Sequence, residues 1–110
     1  MLNDYTKNNG DAEYLQSLVN TYYPDRTNML LRQYVSDSYN YDVIIDNYEN
    51  RDKSKPYFVF NVTMQNHGGY SNSASNFDEC IQITSSPTYY NKASKYLSLI
   101  KASDDAFKGL

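Results

Sequence analysis

Asn66 and His67 are the residues of this chain best placed to do chemistry, because they follow an apolar stretch and precede two glycines. Residues 57 to 64 are almost continuously apolar and rich in aromatic and β-branched side chains, which predicts a strand buried on both faces of a sheet. Gly68 and Gly69 then allow the backbone to bend sharply. His67, the only histidine, is therefore predicted to lie at the carboxyl end of a buried strand, where α/β enzymes present functional groups.

Two roles for His67 are compatible with this position. An imidazole can donate a hydrogen bond and carries charge near neutral pH, so it can bind a phosphate group or stabilise a leaving oxygen. A histidine after a strand can equally be a hydrogen-bonded turn residue without a catalytic or binding role. The residues alone leave both interpretations open.

Four helices are expected to position this segment. Asp11 is predicted to cap a helix with apolar residues at positions 15, 18, 19 and 22, which Pro24 ends. Thr27 is predicted to cap a short second helix through Tyr34. The third has the apolar spacing 41, 44, 45 and 48, and a charged loop from 49 to 55 follows.

The last helix is predicted to begin at Ser86 and Pro87, an N-cap and first-turn pair. Its apolar face is expected to consist of Ala93, Tyr96, Leu97, Ile100 and Phe107. A second strand is predicted over residues 80 to 84, with Cys80 as a small buried side chain.

Composition excludes several classes of function. The chain has 110 residues, enough for one domain, and its net charge of −3 includes no basic stripe, which argues against a nucleic-acid partner. One cysteine excludes an internal disulfide, and one cysteine with one histidine cannot form a four-ligand zinc site. No apolar run approaches the roughly 20 residues of a membrane span, and no targeting signal is recognisable.

Three segments resemble one protein family. Pro56 to Tyr70, with the sequence Pro-Tyr-Phe-Val-Phe-Asn-Val-Thr-Met-Gln-Asn-His-Gly-Gly-Tyr, is similar to a strand of the sulfatase-like phosphoglycerol transferases, which include lipoteichoic acid synthase. In that family the strand ends in Thr-x-x-Asn-His-x-Pro-Tyr/Phe. Tyr96 to Phe107 resembles the helix Tyr-x-x-x-Ile-x-x-x-Asp-x-x-Phe that follows, and Tyr34 to Asp37 is a weaker match. The resemblance covers roughly residues 34 to 110.

The resemblance implies an α/β fold, namely part of the three-layer alkaline-phosphatase or sulfatase-like fold, with helices packed on a small, mostly parallel sheet. Residues 1–110 are expected to be a single domain or a fragment of such a catalytic domain. The family uses a threonine nucleophile and a divalent metal, Mn or Mg or else Ca or Zn. We expect both to lie outside this chain, which would then hold no cofactor and no catalytic residue and would be inactive alone.

Within this family, the residues matching His67 and Asn66 imply a substrate-binding role, with Asn66 orienting the loop. The substrate would be a phosphodiester or sulfate ester, and the full-length protein would lie at the extracellular face of the membrane. The expected partners are the remainder of the catalytic domain and, through exposed sheet edges, further copies of the chain. Gly69 departs from the family, which usually has proline there.

A second class of function also remains open. The chain has 13 tyrosines and no tryptophan, and asparagine is abundant, a composition that suits wet contacts with sugars or headgroups. Codon bias in an AT-rich genome explains the same composition. The alternative hypothesis is a stand-alone binding module that uses its tyrosine-rich surface and the loop from 67 to 76.

Overall fold

The computed structural model describes residues 12–26, 28–70, 74–85 and 88–110. These residues form a mixed structure of helices and small sheets, broadly α/β, in agreement with the coarse prediction. The helices are α1 (Ala12–Tyr22), α2 (Asp37–Glu49) and α3 (Asn91–Phe107), and the strands are β1 (Leu30–Leu31), β2 (Tyr34–Val35), β3 (Thr84–Ser85) and β4 (Thr88–Tyr89). Both ladders in the described part of the chain are antiparallel. None of the described helices is long and apolar enough to cross a bilayer.

The first two strands form a hairpin where the sequence predicted a short helix. Leu30 pairs with Val35 and Leu31 with Tyr34. The turn between them places Arg32 in the left-handed region, with φ of 53°. The helix prediction from 27 to 34 was therefore wrong, because a helical apolar spacing does not reveal a chain reversal. Its proposed cap, Thr27, lies outside the described residues, as does Asp11.

The third predicted helix is confirmed as α2, which begins at Asp37 and contains the apolar residues 41, 44, 45 and 48. Ser36 is its N-cap, because the Ser36 hydroxyl accepts a hydrogen bond from the Tyr39 amide at 3.1 Å. Helix α1 ends at Tyr22, close to Pro24, as expected. Helix α2 lies against α3.

Residues 57 to 64 do not form the predicted buried strand. Within the described chain, no hydrogen bond pairs the backbone of residues 56 to 63 with another segment. Phe58 is 87% exposed and Phe60 82% exposed. The physical reason is that the described part of the chain offers no neighbouring strand. The segment's apolar sequence is that of an interior strand, but its environment is not.

The two sides of this segment differ in their surroundings. Tyr57 packs its ring edge-on against Tyr48 of α2, with 6.0 Å between ring centroids. Tyr57 and Val59 share a cleft with Ile44 and Ile45 of α2. These odd-numbered residues are about 40% exposed, whereas the even-numbered Phe58, Phe60 and Val62 are 65 to 87% exposed. One side of the segment therefore lies on a helix, and the other is largely exposed among the described residues.

The prediction of a strand from 80 to 84 is also wrong for most of its length. Cys80 is exposed rather than buried. The amides of Ile81 and Ile83 donate to the hydroxyl groups of Ser98 and Ser94 in α3, at 2.9 and 2.8 Å. Serine side chains on the helix thus satisfy this backbone, so only residues 84 and 85 pair as a strand.

Helix α3 begins later than predicted and buries a different face. Thr88 and Tyr89 are in β4, and the helix starts at Asn91 without a side-chain cap. Ser86 and Pro87, the predicted start, lie outside the described residues. The residues buried on α3 are Ser94, Lys95, Ser98 and Leu99. The predicted apolar face is instead largely exposed, with Tyr96, Leu97, Ile100 and Phe107 at 37 to 62%.

The described residues contain very little apolar core. Val19 and Leu99 are the buried hydrophobic residues, while seven polar or charged residues are buried. Large apolar side chains of the segment 57 to 64 and of α3 instead remain exposed.

Candidate functional site

The loop of residues 65 to 70, here called the His67 loop, follows the apolar segment and contacts three other elements. They are the β1–β2 hairpin, the start of α2 and the last turns of α3. The His67 amide donates to the Met64 carbonyl at 3.0 Å, which closes a turn. The His67 side chain is exposed, whereas Gln65 is only 2% exposed. The loop is therefore anchored through its first residues and presents its histidine outward.

Arg32 binds the backbone of the His67 loop through two hydrogen bonds. Its Nη2 donates to the Gln65 carbonyl at 3.0 Å and to the His67 carbonyl at 2.6 Å. The guanidinium group lies 5.4 Å from the Tyr34 ring centroid and 5.9 Å from that of Tyr70. Arg32 is 4% exposed, and this desolvation lowers its pKa, while Tyr34 and Tyr70 act in the opposite direction. Arg32 is thus a buried cation whose Nη2 is directed at two carbonyl groups of the loop.

Ser103 links the loop to two helices. Its hydroxyl accepts from the Gln65 amide at 3.0 Å and from the Asn66 amide at 2.8 Å, and it donates to Asp37 Oδ2 at 2.5 Å. Gln65 Oε1 also accepts from the Asp37 backbone amide at 2.8 Å, at the start of α2. Both amide side chains are therefore fixed from within the molecule.

The His67 imidazole itself has one hydrogen-bond partner among the described residues. The Tyr34 hydroxyl lies 3.0 Å from Nδ1, and the two rings are tilted with centroids 5.5 Å apart. Nε2 has no protein partner in the described residues. The imidazole is thus held at one nitrogen and free at the other, an arrangement suited to contact with a ligand.

Gly69 has a backbone conformation that favours glycine over the proline found at this place in the family that the segment resembles. Its φ is +93°, in the region that favours glycine. Proline, fixed near −65°, cannot adopt this conformation, so a proline-containing loop would follow a different path. The Tyr70 hydroxyl then donates to the Asn66 carbonyl at 2.8 Å and closes the loop. Residues 71–73 of the predicted site loop lie outside the described residues.

The described residues do not provide a metal site. No three His, Cys, Asp or Glu side chains among them are close enough to hold an ion. Asp37 Oδ2 accepts from Ser103, and Asp37 is 2% exposed. The donor set around His67 is one imidazole with hydroxyl and amide groups, which does not fit the oxygen-rich coordination of Mn or Mg.

The two site residues predicted from the sequence, Asn66 and His67, lie in the same loop but have different surroundings. His67 presents a free nitrogen, whereas the Asn66 side chain is directed into the Ser103 network. Sequence reasoning missed Arg32, Gln65, Tyr34 and Ser103. The resemblance at Tyr34 to Asp37 was one signal for this region, but it implied no role for the individual residues.

Comparison with protein-family models, with curated proteins and with solved structures gave no match to this chain.

Proposed function

We propose that this chain is a section of the catalytic domain of an extracellular, metal-dependent phosphoglycerol transferase or related sulfatase-like hydrolase, with His67 as a substrate-binding residue. The substrate class is a phosphodiester or sulfate ester. The threonine nucleophile and the residues that bind the divalent metal, Mn or Mg or else Ca or Zn, belong to other parts of that domain. The section by itself has no turnover.

The observation that carries this proposal is the meeting of three segments at His67. Tyr34 and Asp37 come from the first resembling segment, Gln65 to His67 from the second, and Ser103 from the third. Hydrogen bonds of 2.5 to 3.0 Å connect them. Contact between the three resembling segments is what a site shared with that family would require.

The surroundings of residues 57 to 64 give independent support. An interior strand of a three-layer domain has hydrogen-bonded strands on both edges and a helical layer on each face. Here one face lies on α2 and the other is largely exposed, and among the described residues no hydrogen bond pairs the backbone from 56 to 63 with another segment. The segment thus has one of the layers that its sequence requires. The finer fold, a mostly parallel sheet between two helical layers, belongs to this proposal.

The chemistry available at His67 fits an anionic oxygen. The imidazole is exposed, and its Nε2 can donate a hydrogen bond to a phosphoryl or sulfuryl oxygen of the substrate. The buried Arg32 guanidinium adds positive charge close to the loop. Asn66 acts by orienting the loop, because its amide is bound to Ser103.

A non-enzymatic binding module is the second candidate, and the exposure of several tyrosines favours it. Six of them are 43 to 69% exposed: Tyr22, Tyr23, Tyr48, Tyr89, Tyr90 and Tyr96. Such rings can stack on sugars or contact headgroups. In this case His67 would be a turn residue held by Tyr34.

The genomic DNA on both sides of the coding region separates the two candidates. Under the enzyme proposal, translation in frame yields a threonine motif and membrane helices upstream and an Asp-His pair at a strand end downstream. An open reading frame bounded closely by stop and start signals at both ends contradicts the enzyme proposal and favours the binding module.

A further inference from the structure

We infer that Tyr34 is a positioning residue that holds the neutral His67 imidazole in the tautomer with its proton on Nε2. The inference about the tautomer depends only on the hydrogen-bond geometry. Its consequence, that His67 offers a ready N–H donor to a substrate oxygen, rests on the proposed function. The chain contains one histidine, so the state of this ring can be measured without interference from another.

The hydrogen bond between Tyr34 and His67 can have either polarity. The hydroxyl group can donate to an unprotonated Nδ1, or a protonated Nδ1 can donate to the phenol oxygen, and the 3.0 Å separation is the same. The tautomer of the ring follows directly from which group donates, since a neutral imidazole carries one proton.

Arg32 favours donation by the hydroxyl group. Its guanidinium carbon lies 5.4 Å from the Tyr34 ring centroid. A cation close to a phenol stabilises electron density on its oxygen and so strengthens the O–H group as a donor. A lone pair on an imidazole nitrogen is also a better acceptor than a phenol oxygen. Nδ1 therefore accepts, and the ring proton is on Nε2.

The surrounding contacts hold Tyr34 and His67 next to each other. Arg32 bonds the His67 carbonyl at 2.6 Å, so the backbone of His67 is fixed by the residue two positions before Tyr34. The left-handed conformation of Arg32 belongs to the same hairpin turn. One hairpin thus sets both the position of the His67 backbone and the protonation of its side chain.

Long-range proton–nitrogen NMR correlation on ¹⁵N-labelled chain, at a pH where the ring is neutral, tests the inference. In the unmodified chain we expect Nδ1 to show the shift of an unprotonated nitrogen and Nε2 that of an N–H nitrogen. In Tyr34→Phe the ratio of the Nε2–H tautomer to the Nδ1–H tautomer should fall about fivefold, because one hydrogen bond of ordinary strength changes an equilibrium constant by about that factor.

Tyr70→Phe is the matched control. It also removes a hydroxyl group from this loop, but that hydroxyl bonds the Asn66 carbonyl and not the imidazole. We expect its nitrogen shifts to equal those of the unmodified chain. A protonated Nδ1 in the unmodified chain overturns the inference, and so does an equal change in both variants. The first of these results is decisive even if Tyr34→Phe does not fold.

The proposed function can fail separately. If the Nε2–H tautomer is present but glycerol phosphate leaves the His67 signals unchanged, the hydrogen-bond assignment stands and the substrate role is wrong.

Discussion

A single hydroxyl group connects the His67 loop to two helices. Ser103 satisfies both amide side chains that precede His67 and donates to Asp37, which is buried at the start of α2. The sequence indicated that Asn66 and His67 belong together, but not what would hold them. A serine inside a helical pattern is indistinguishable by type from a solvated one, so this partner could be found only from three-dimensional proximity.

We expect Ser103→Ala to reduce the free energy of unfolding by about 1–3 kcal/mol, because the buried Gln65 amide, the half-buried Asn66 amide and the Asp37 carboxyl group lose a partner. Urea unfolding followed by circular dichroism measures this change. Ser38→Ala, on the exposed side of α2, is the control and should alter stability by less than about 0.5 kcal/mol. Equal stability of the two variants would show that Ser103 does not anchor the loop.

At the scale of elements, the helices were largely predictable and the sheet was not. Apolar spacing and Pro24 located α1, and spacing alone located α2, because both signals are local in the sequence. Residues 57 to 64 have the composition of an interior strand, yet a strand needs neighbours that periodicity cannot supply. The same limit explains α3, whose apolar face at Tyr96, Leu97 and Ile100 is exposed although its spacing is that of a buried stripe.

The last turn of α3 carries a cluster of ion pairs whose contribution to stability should be lost at low pH. Lys101 and Lys108 lie 2.6 and 2.7 Å from the Asp105 carboxylate, and hydrogen bonds from them lower its pKa to about 2. Since the folded-state pKa lies below the ordinary value of 3.8, the stabilisation is present above about pH 4 and is lost as the pH falls toward 2. The side chains are 48 to 66% exposed, so salt should weaken the effect.

Titration of the carboxyl ¹³C signals at low salt checks this prediction. Lys108→Gln should raise the pKa of Asp105 toward its ordinary value, whereas Lys53→Gln, in the loop after α2, should leave it unchanged. An Asp105 pKa near 3.8 in the unmodified chain would mean that these ion pairs do not form in solution.

At the scale of the whole molecule, the described residues leave one long apolar segment without a covering layer on one side. Phe58, Phe60 and Val62 are 65 to 87% exposed, and among the described residues no hydrogen bond pairs the backbone from 56 to 63 with another segment. Such an edge pairs readily with another strand, so we expect copies of the isolated chain to associate through residues 57 to 64.

Sedimentation velocity over a range of concentrations should show this association. The double variant Phe58→Ser, Phe60→Ser should remain monomeric, and because both side chains are more than 80% exposed its unfolding free energy should change little. The control Tyr22→Ser, Tyr23→Ser removes exposed aromatic rings elsewhere and should still associate. An unmodified chain that stays monomeric at every concentration would contradict the predicted pairing.

The central claim is that His67 binds an anionic ester. The most direct test titrates the monomeric double variant Phe58→Ser, Phe60→Ser with sn-glycerol 1-phosphate. NMR signals of the single imidazole and of the tyrosine rings report the binding. We predict saturable chemical-shift changes at the His67 imidazole and at the neighbouring Gly68 and Gly69 amides, and we expect inorganic sulfate to compete with the ligand. In the His67→Gln variant, the changes at the Gly68 and Gly69 amides should be absent. Saturable changes at the exposed tyrosines, with His67 unaffected, would contradict the substrate-binding role and support the binding module.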